Sequence, residues 1–299
     1  MKKLNVIGTT RIWLGISAVL MLLSITAIAV YGLNFGIDFT GGSLIELRME
    51  QPFTVADVRE KVNGEGYDAI VQESEGNQVF IRLETISQEE HDAIISALSE
   101  SYGTVEELRF ESVGPVFGQE LKRKSLIAVI LLSIIIVIYV AWAFRTVSKP
   151  VASWKYGVLT MVAGAHDVIL PLGVFAVLGH FLGYQVDTAF VAALLTILGF
   201  SVNDTIVIFD RTRENLIKNR HSDESFGDIV NKSVVQSFAR SMNTSVTVLL
   251  VLLAIFFFGG TTTKPFIMAL IVGIISGVYS SIFVASTLLV LWEKKSRAS

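Results

Sequence analysis

The chain has 299 residues, of which 52% are hydrophobic and 17% charged, with a formal net charge of −3. That composition reads as a membrane protein and not as a soluble domain. The absence of cysteine excludes disulfides, thiol catalysis and Cys-ligated zinc or iron–sulfur centres, and no basic stripe points to nucleic acid.

Residues 1–33 hold a short basic segment (Lys2, Lys3, Arg11) and an apolar run, Ile12 to Leu33, about the 20 residues that a crossing helix needs. The run is too long for the apolar core of a cleaved signal and lacks a clear small-x-small site, so it is expected to be retained as a first span. Residues 34–122 are polar, acidic and patterned for mixed structure. Ser43 to Met49, Ala69 to Glu73, Val79 to Leu83 and Val105 to Val113 read as strands, the middle two around the Glu75-Gly76-Asn77 turn. Thr54 caps a helix with Val55, Val58 and Val62 on one face. Ser87 and Glu90 form a capping box before a second helix that presents Ile94, Ile95 and Leu98. The order β-α-β-β-α-β is that of a ferredoxin-like α+β domain.

Residues 123–299 carry five more apolar runs: Leu126 to Phe144, Gly157 to Phe181, Val186 to Phe209, Val246 to Phe258 and Phe266 to Trp292. The expected fold is therefore an α-helical integral membrane protein of six transmembrane helices, with a small ferredoxin-like extracytoplasmic domain between the first two spans. Basic residues orient it. Arg145, Lys149 and Lys155 follow the second span, Arg211, Arg213, Lys218, Arg220 and Lys232 the fourth, and Lys294, Lys295 and Arg297 the sixth. With Lys2, Lys3 and Arg11 they all face the cytoplasm if both termini are inside. The stretch 210–240 is then a cytoplasmic loop, either solvated or an interfacial helix anchored by Phe226, Ile229 and Val230.

Within the apolar runs a few polar groups stand out. Asn203 and Asp204 interrupt the fourth, and a carboxylate there costs at least about 2.5 kcal/mol unless it faces other helices or water. Arg240 enters the fifth at a similar depth and leads a stripe of Gln236, Asn243, Thr244 and Thr247. An Asp204–Arg240 pair whose separation changes with conformation would couple proton binding to movement, because burial and a neighbouring cation act oppositely on a carboxylate. The rival for Asp204 is a carboxylate that only hydrogen-bonds a neighbouring helix. For Arg240 it is a cation snorkelling to headgroups. His166 and Asp167 lie near the middle of the third span, as a relay or as a satisfied core pair. Asp210 suits a partner of Arg211 or Arg213. Gly273-xxx-Gly277 suits close helix packing. HExxH, the P-loop pattern and GxSxG are all absent.

Several motifs together resemble the SecD/SecF family of the resistance-nodulation-division superfamily. They are Gly36-Ile-Asp-Phe-Thr-Gly-Gly42, Val113-Gly-Pro-x-x-Gly-x-Glu-Leu121, His166-Asp167, Asn203-Asp-Thr-Ile206 with Asp210-Arg-x-Arg-Glu-Asn215, and Ser276-Gly-x-Tyr-Ser-Ser-Ile282. The resemblance implies a non-enzymatic accessory subunit of protein export in the bacterial cytoplasmic membrane. It would work with SecD as a heterodimer beside SecYEG, with YajC and YidC as further partners and a translocating preprotein as cargo. It implies no cofactor beyond the proton as coupling ion, and a proton relay at Asp204 and Arg240 with Asn203, Thr244, Asp167 and His166 around them. The external domain would contact unfolded polypeptide through its sheet edges or serve as a lid. Two alternatives remain at this point: half of a proton-driven small-molecule or lipid exporter, and an intramembrane hydrolase using Asp167 and Asp204.

Overall fold

A computed structural model describes residues 5–74, 77–145, 151–219 and 223–298. Lys2, Lys3, Lys149, Arg220 and the Glu75-Gly76 part of the predicted turn lie outside the described residues. Two compact units emerge, one of residues 34–127 with 185–188, the other of residues 1–33, 128–184 and 189–299.

The first unit is built on a four-stranded antiparallel sheet of order β2-β3-β1-β4, from β1 (Gly42–Met49), β2 (Ile70–Ser74), β3 (Gln78–Leu83) and β4 (Val105–Val113). In β1 every second side chain (Ile45, Leu47, Met49) joins Val79, Ile81, Val58, Val62, Ile94 and Leu98 in one apolar core under helices α3 (Val55–Gly64) and α4 (Gln88–Tyr102). The predicted caps form. Thr54 accepts from the Asp57 amide at 3.2 Å, and Ser87 and Glu90 make the reciprocal box, whose donors hold the Glu90 carboxyl below its ordinary value. Asn77 takes a left-handed φ of 61° and donates to the Met49 and Gln51 carbonyls.

The Gly36–Gly42 motif is a junction within this unit. The short helix α2 (Ile37–Thr40) ends at Gly41 and Gly42, with φ of 76° and 121°. A side chain at Gly41 would strike Pro115, the first residue of α5 (Pro115–Ala143). Phe35 bridges Val186 in parallel, and Asp38 accepts from the Thr188 amide at 2.9 Å and its hydroxyl at 2.5 Å. Asp38 thereby caps the first residue of α7 (Thr188–Lys218). The sequence assigned Val186 and Asp187 to a span; Val186 pairs with Asn34 and Gly36, and both residues belong to this unit instead.

The second unit contains helices long and apolar enough to cross a membrane: α1 (Thr10–Tyr31), most of α5, α6 (Ser153–Leu182), α7, α8 (Phe226–Phe258) and a last span running through Thr261–Ser296. With α5 counted, the described residues hold six such helices. Burial divides them. The apolar windows of α1 and α5 are 11% buried and that of α8 17%, against half for α6 and α7 and 67% for the last span. The last three are therefore the centre of the bundle. The last span is not uniform: α9 (Lys264–Tyr279) passes through a π-helical turn, Ser280–Ala285, into α10 (Ser286–Ala298). A wider turn disturbs the regular ladder of carbonyl partners. Here Ser286 donates to the Ser281 and Ile282 carbonyls, and Thr287 to those of Phe283 and Val284.

The stretch 210–240 is mostly helix. α7 continues to Lys218 and α8 starts at Phe226 with Ser225 as its cap. Phe226, Ile229 and Val230 are buried in the bundle, not laid on an interface. Polar contacts between the two extensions explain why so charged a sequence stays helical: Gln236 accepts from Arg211 at 2.7 Å and from Asn215 at 2.9 Å, and Asn215 also donates to Ser233. Asp210 pairs with Arg213 at 3.4 Å.

In the sheet, Glu46 is 2% exposed, and its Oε2 has no hydrogen-bond partner among the described residues. Desolvation pushes its carboxyl above the ordinary value, with Arg109 and Arg48 opposing. The folded state then holds the proton more tightly than the unfolded chain, so stability falls as pH rises from the ordinary carboxylate range through the raised value. Glu46→Gln is expected to raise the melting temperature of the detergent-solubilised chain by a few degrees at neutral pH, with the gain vanishing below the unfolded carboxylate pKa. Melting curves at several pH values check it.

Candidate intramembrane polar site

Helix α7 carries polar side chains on two adjacent faces. Asp204 meets α8: its Oδ1 accepts from Ser241 Oγ at 2.5 Å, while Oδ2 is buried with no hydrogen-bond partner among the described residues. Ser201, one turn earlier, and Thr205 meet α6 and the last span. Ser201 donates to Asp167 Oδ2 at 2.5 Å, and Thr205 shares a 2.8 Å hydrogen bond with Ser281.

Asp167 is fully buried and fully coordinated. Its Oδ2 also accepts from Ser280 at 2.5 Å. Its Oδ1 accepts from Ser276 at 2.7 Å and lies 2.9 Å from His166 Nδ1. Because a carboxylate only accepts, the network places a proton on His166 Nδ1. Nε2 is then left without a hydrogen-bond partner among the described residues, and the ring stacks on Tyr279 at 6.0 Å.

Close helix approach makes this reach possible. A β-carbon at Gly273 would overlap the Ile197 side chain, and one at Gly277 would sit 3.2 Å from the Ser201 β-carbon and 3.7 Å from Asp167 Oδ2. The Gly273-xxx-Gly277 pattern is thus a packing face against α7, as close-approach motifs are in membranes.

Arg240 is exposed on α8 with Asn243, Thr244 and Thr247. It lies within electrostatic range of Asp204, but no ion pair within 4 Å joins the two among the described residues. Asn203 is likewise exposed on α7. Beside Arg240 a cavity of about 510 Å³ is lined by Ile206, Val207, Asp210, Arg211 and Ser237 among others. The structure therefore joins Asp204 to Ser241, the residue after Arg240 on α8, and His166 to Asp167. No hydrogen bond links one carboxylate to the other among the described residues. The hydroxyls of Ser201, Ser241, Ser276 and Ser280 carry the hydrogen bonding, and residue-by-residue reading assigned them none. For Ser276 and Ser280 the signal in the sequence was the Ser276–Ile282 motif, and for Ser241 the Ser237-x-x-Arg-Ser-x-x-Thr-Ser245 pattern around Arg240.

A family model described as "Protein export membrane protein SecD/SecF, C-terminal" matches residues 93–295, and one described as "SecD/SecF GG Motif" matches residues 26–53. The chain belongs to the SecD/SecF protein-export family. It is 46% identical to the protein translocase subunit SecF of Thermobaculum terrenum, over 89% of this chain and 86% of that relative. It is 37% identical to the SecF of Anaerolinea thermophila, over 97% of this chain and 94% of that one. Among solved structures it resembles SecDF, a translocon-associated membrane protein from Thermus thermophilus, with a TM-score of 0.85 and 34% identity. That likeness covers 98% of this chain and 39% of the SecDF chain. A SecDF structure in a super-membrane-facing form gives a TM-score of 0.71. The GG-motif match contains the junction at Asp38, Gly41 and Gly42.

Gly273→Val is expected to force α9 off α7 at a cost of about 1–3 kcal/mol, as overpacking of a close contact does. Thermal unfolding in detergent measures the loss, and adding Ile197→Ala should recover part of it.

Proposed function

We propose that this chain is the SecF-type subunit of a bacterial protein translocase. With SecD it would use the proton-motive force to promote preprotein translocation and release on the outer side, after the ATP-driven step by SecA. SecYEG is the proposed channel, with YajC and YidC as further members of the assembly. The proposed orientation has both termini and the 210–240 region in the cytoplasm and residues 34–122 outside, on the distribution of basic residues.

The observation that carries the mechanism is a buried carboxylate with one oxygen held and one free. Ser241 fixes Asp204 Oδ1, and Oδ2 is the atom open to a proton. Protonation removes the charge that attracts Arg240. The tether between α7 and α8 weakens, and the two helices can change their separation. The cavity beside Arg240 would admit water to the Arg240 side of the pair, and Asp204 itself does not line it. Asn203 and Thr244 add polar groups on the same exposed faces. Those faces, with Arg240 and Asn243, are where SecD is proposed to pack, because lipid would leave their polar groups unsatisfied.

Two features weigh against the other readings. Asp167 and Asp204 take their hydrogen bonds from different side chains and not from each other, which disfavours an aspartyl dyad. The relatives named SecF align with nearly the whole chain, which disfavours a small-molecule exporter.

The test is preprotein export in cells lacking the native subunit, complemented at matched membrane levels. Wild type should restore export, whereas Asp204→Asn and Arg240→Met should lose most of it while still co-purifying with SecD. Normal export by both variants would reduce the two residues to packing groups and end the relay reading.

A further inference from the structure

Three elements of the bundle converge on a single carboxylate that the relay does not use. Ser201 of α7 and Ser280 at the start of the π-helical turn donate to Asp167 Oδ2, each at 2.5 Å, and Ser276 of α9 donates to Oδ1 at 2.7 Å. His166 supplies the fourth donor from α6 itself. Hydroxyl donors to a charged acceptor are stronger than neutral pairs, and more so where water is absent. Breaking one leaves a buried group unpaired, which is the costly case. The cluster therefore fixes α7 against α6 and the last span at one level of the bundle. That level is one helical turn from Asp204, since Ser201 and Asp204 are three residues apart and neighbours on one helix.

The contrast between the two carboxylates decides their roles. Each oxygen of Asp167 accepts two hydrogen bonds, leaving no oxygen for proton exchange without breaking the clamp. Asp204 has one oxygen with no such partner. The clamp also reaches α7 a second way, since Ser281, next to Ser280, bonds Thr205 and the Ser201 carbonyl. Gly277 eases the fit, because a β-carbon there would press on Ser201 at 3.2 Å, with Asp167 Oδ2 in ordinary contact at 3.7 Å.

We infer that Asp167 is a positioning residue. Through Ser201 and the π-helical turn it sets the rotation and height of α7, so that Asp204 meets Ser241 and feels Arg240. This rests on the relay reading of Asp204 proposed above. The groups facing each carboxylate are few. Asp204 has Ser241 and Arg240 on α8. Asp167 has His166 on α6 and the hydroxyls of α7, α9 and the π-helical turn.

The test uses the chain in complex with SecD, reconstituted in vesicles. The infrared band of the protonated carboxyl is followed through a pH titration and assigned as the band lost in Asp204→Asn. Asp167→Asn turns one acceptor into a donor facing donors. It should displace the Asp204 titration midpoint and slow proton-driven translocation about tenfold, the worth of one charge-assisted hydrogen bond. Ser201→Ala and Ser276→Ala, which keep the carboxylate, should displace the midpoint in the same direction by less, and they keep the test informative if Asp167→Asn does not fold.

An unchanged midpoint in all three variants would make the cluster packing only and overturn the proposal. Loss of the band itself in Asp167→Asn, with the serine variants unaffected, would make Asp167 the proton carrier and overturn it as well. If Asp204→Asn removes no band, the relay reading fails first, and the assignment of Asp167 falls with it for want of the group it positions.

Discussion

A bilayer interior supplies no hydrogen bonds, so every polar group in a span must find its partners in protein or in an enclosed wet space. Most of the bundle follows from that constraint. Asp167 meets it completely: three serines and a histidine surround it, and none of the three serines comes from its own helix. The spans that supply those donors are the most buried ones. The carboxylate and its hydroxyls thus define the centre of the bundle as much as the apolar side chains packed around them do. Apolar packing alone discriminates weakly between helix arrangements in lipid, where the tails are as apolar as leucine. Four hydrogen bonds with fixed geometry discriminate strongly.

Small residues are what let a short serine side chain reach across helices. Gly273 and Gly277 bring α9 against α7 at Ile197 and Ser201. Ser17 and Ser24 are the buried residues of a mostly exposed α1, and Ser24 sits where a side chain at Gly173 of α6 would collide. Tyr279 then ties α1 to the last span through a 2.6 Å hydrogen bond to the Trp13 carbonyl. The π-helical turn sits where donors are needed in two directions. Ser280 points to Asp167, and Ser281 to Thr205 and the Ser201 carbonyl.

Spans and sheet were legible in the sequence because both rest on local pattern. Twenty apolar residues, a capping box at Ser87 and alternation in Ser43–Met49 each say what they are without reference to the rest of the chain. The helicity of 210–218 and 226–240 was legible only as one of two alternatives, an interfacial helix or a solvated loop. It depends on Arg211, Asn215 and Gln236 finding each other across two helices, and a charged stretch reads locally as solvated. The same holds for the site. Asp204 and Asp167 were conspicuous because charge in an apolar run is costly. Their partners were not, because Ser201 lies 34 residues from Asp167 and Ser276 lies 109 away. Serine in a span is common, and only the fold shows which ones converge. The capping of Thr188 by Asp38, 150 residues earlier, is invisible for the same reason.

One inequality is left standing by the bundle itself. The central carboxylate is saturated, yet Arg240, Asn243, Thr244 and Thr247 remain exposed along one side of α8, with Asn203 exposed on α7. A guanidinium and two amides facing acyl chains would cost several kcal/mol, and nothing in the packing of α7 or α8 requires that cost. A second set of helices bearing complementary groups would remove it. The solved SecDF chains are longer than this one, which covers 39% of the first and 40% of the second. With SecD packed on these faces as proposed, Asp204 would sit beside a seam, not in the middle of a finished core. A carboxylate beside a seam can be reached by water when the seam opens and sealed when it closes, which a carboxylate clamped like Asp167 cannot.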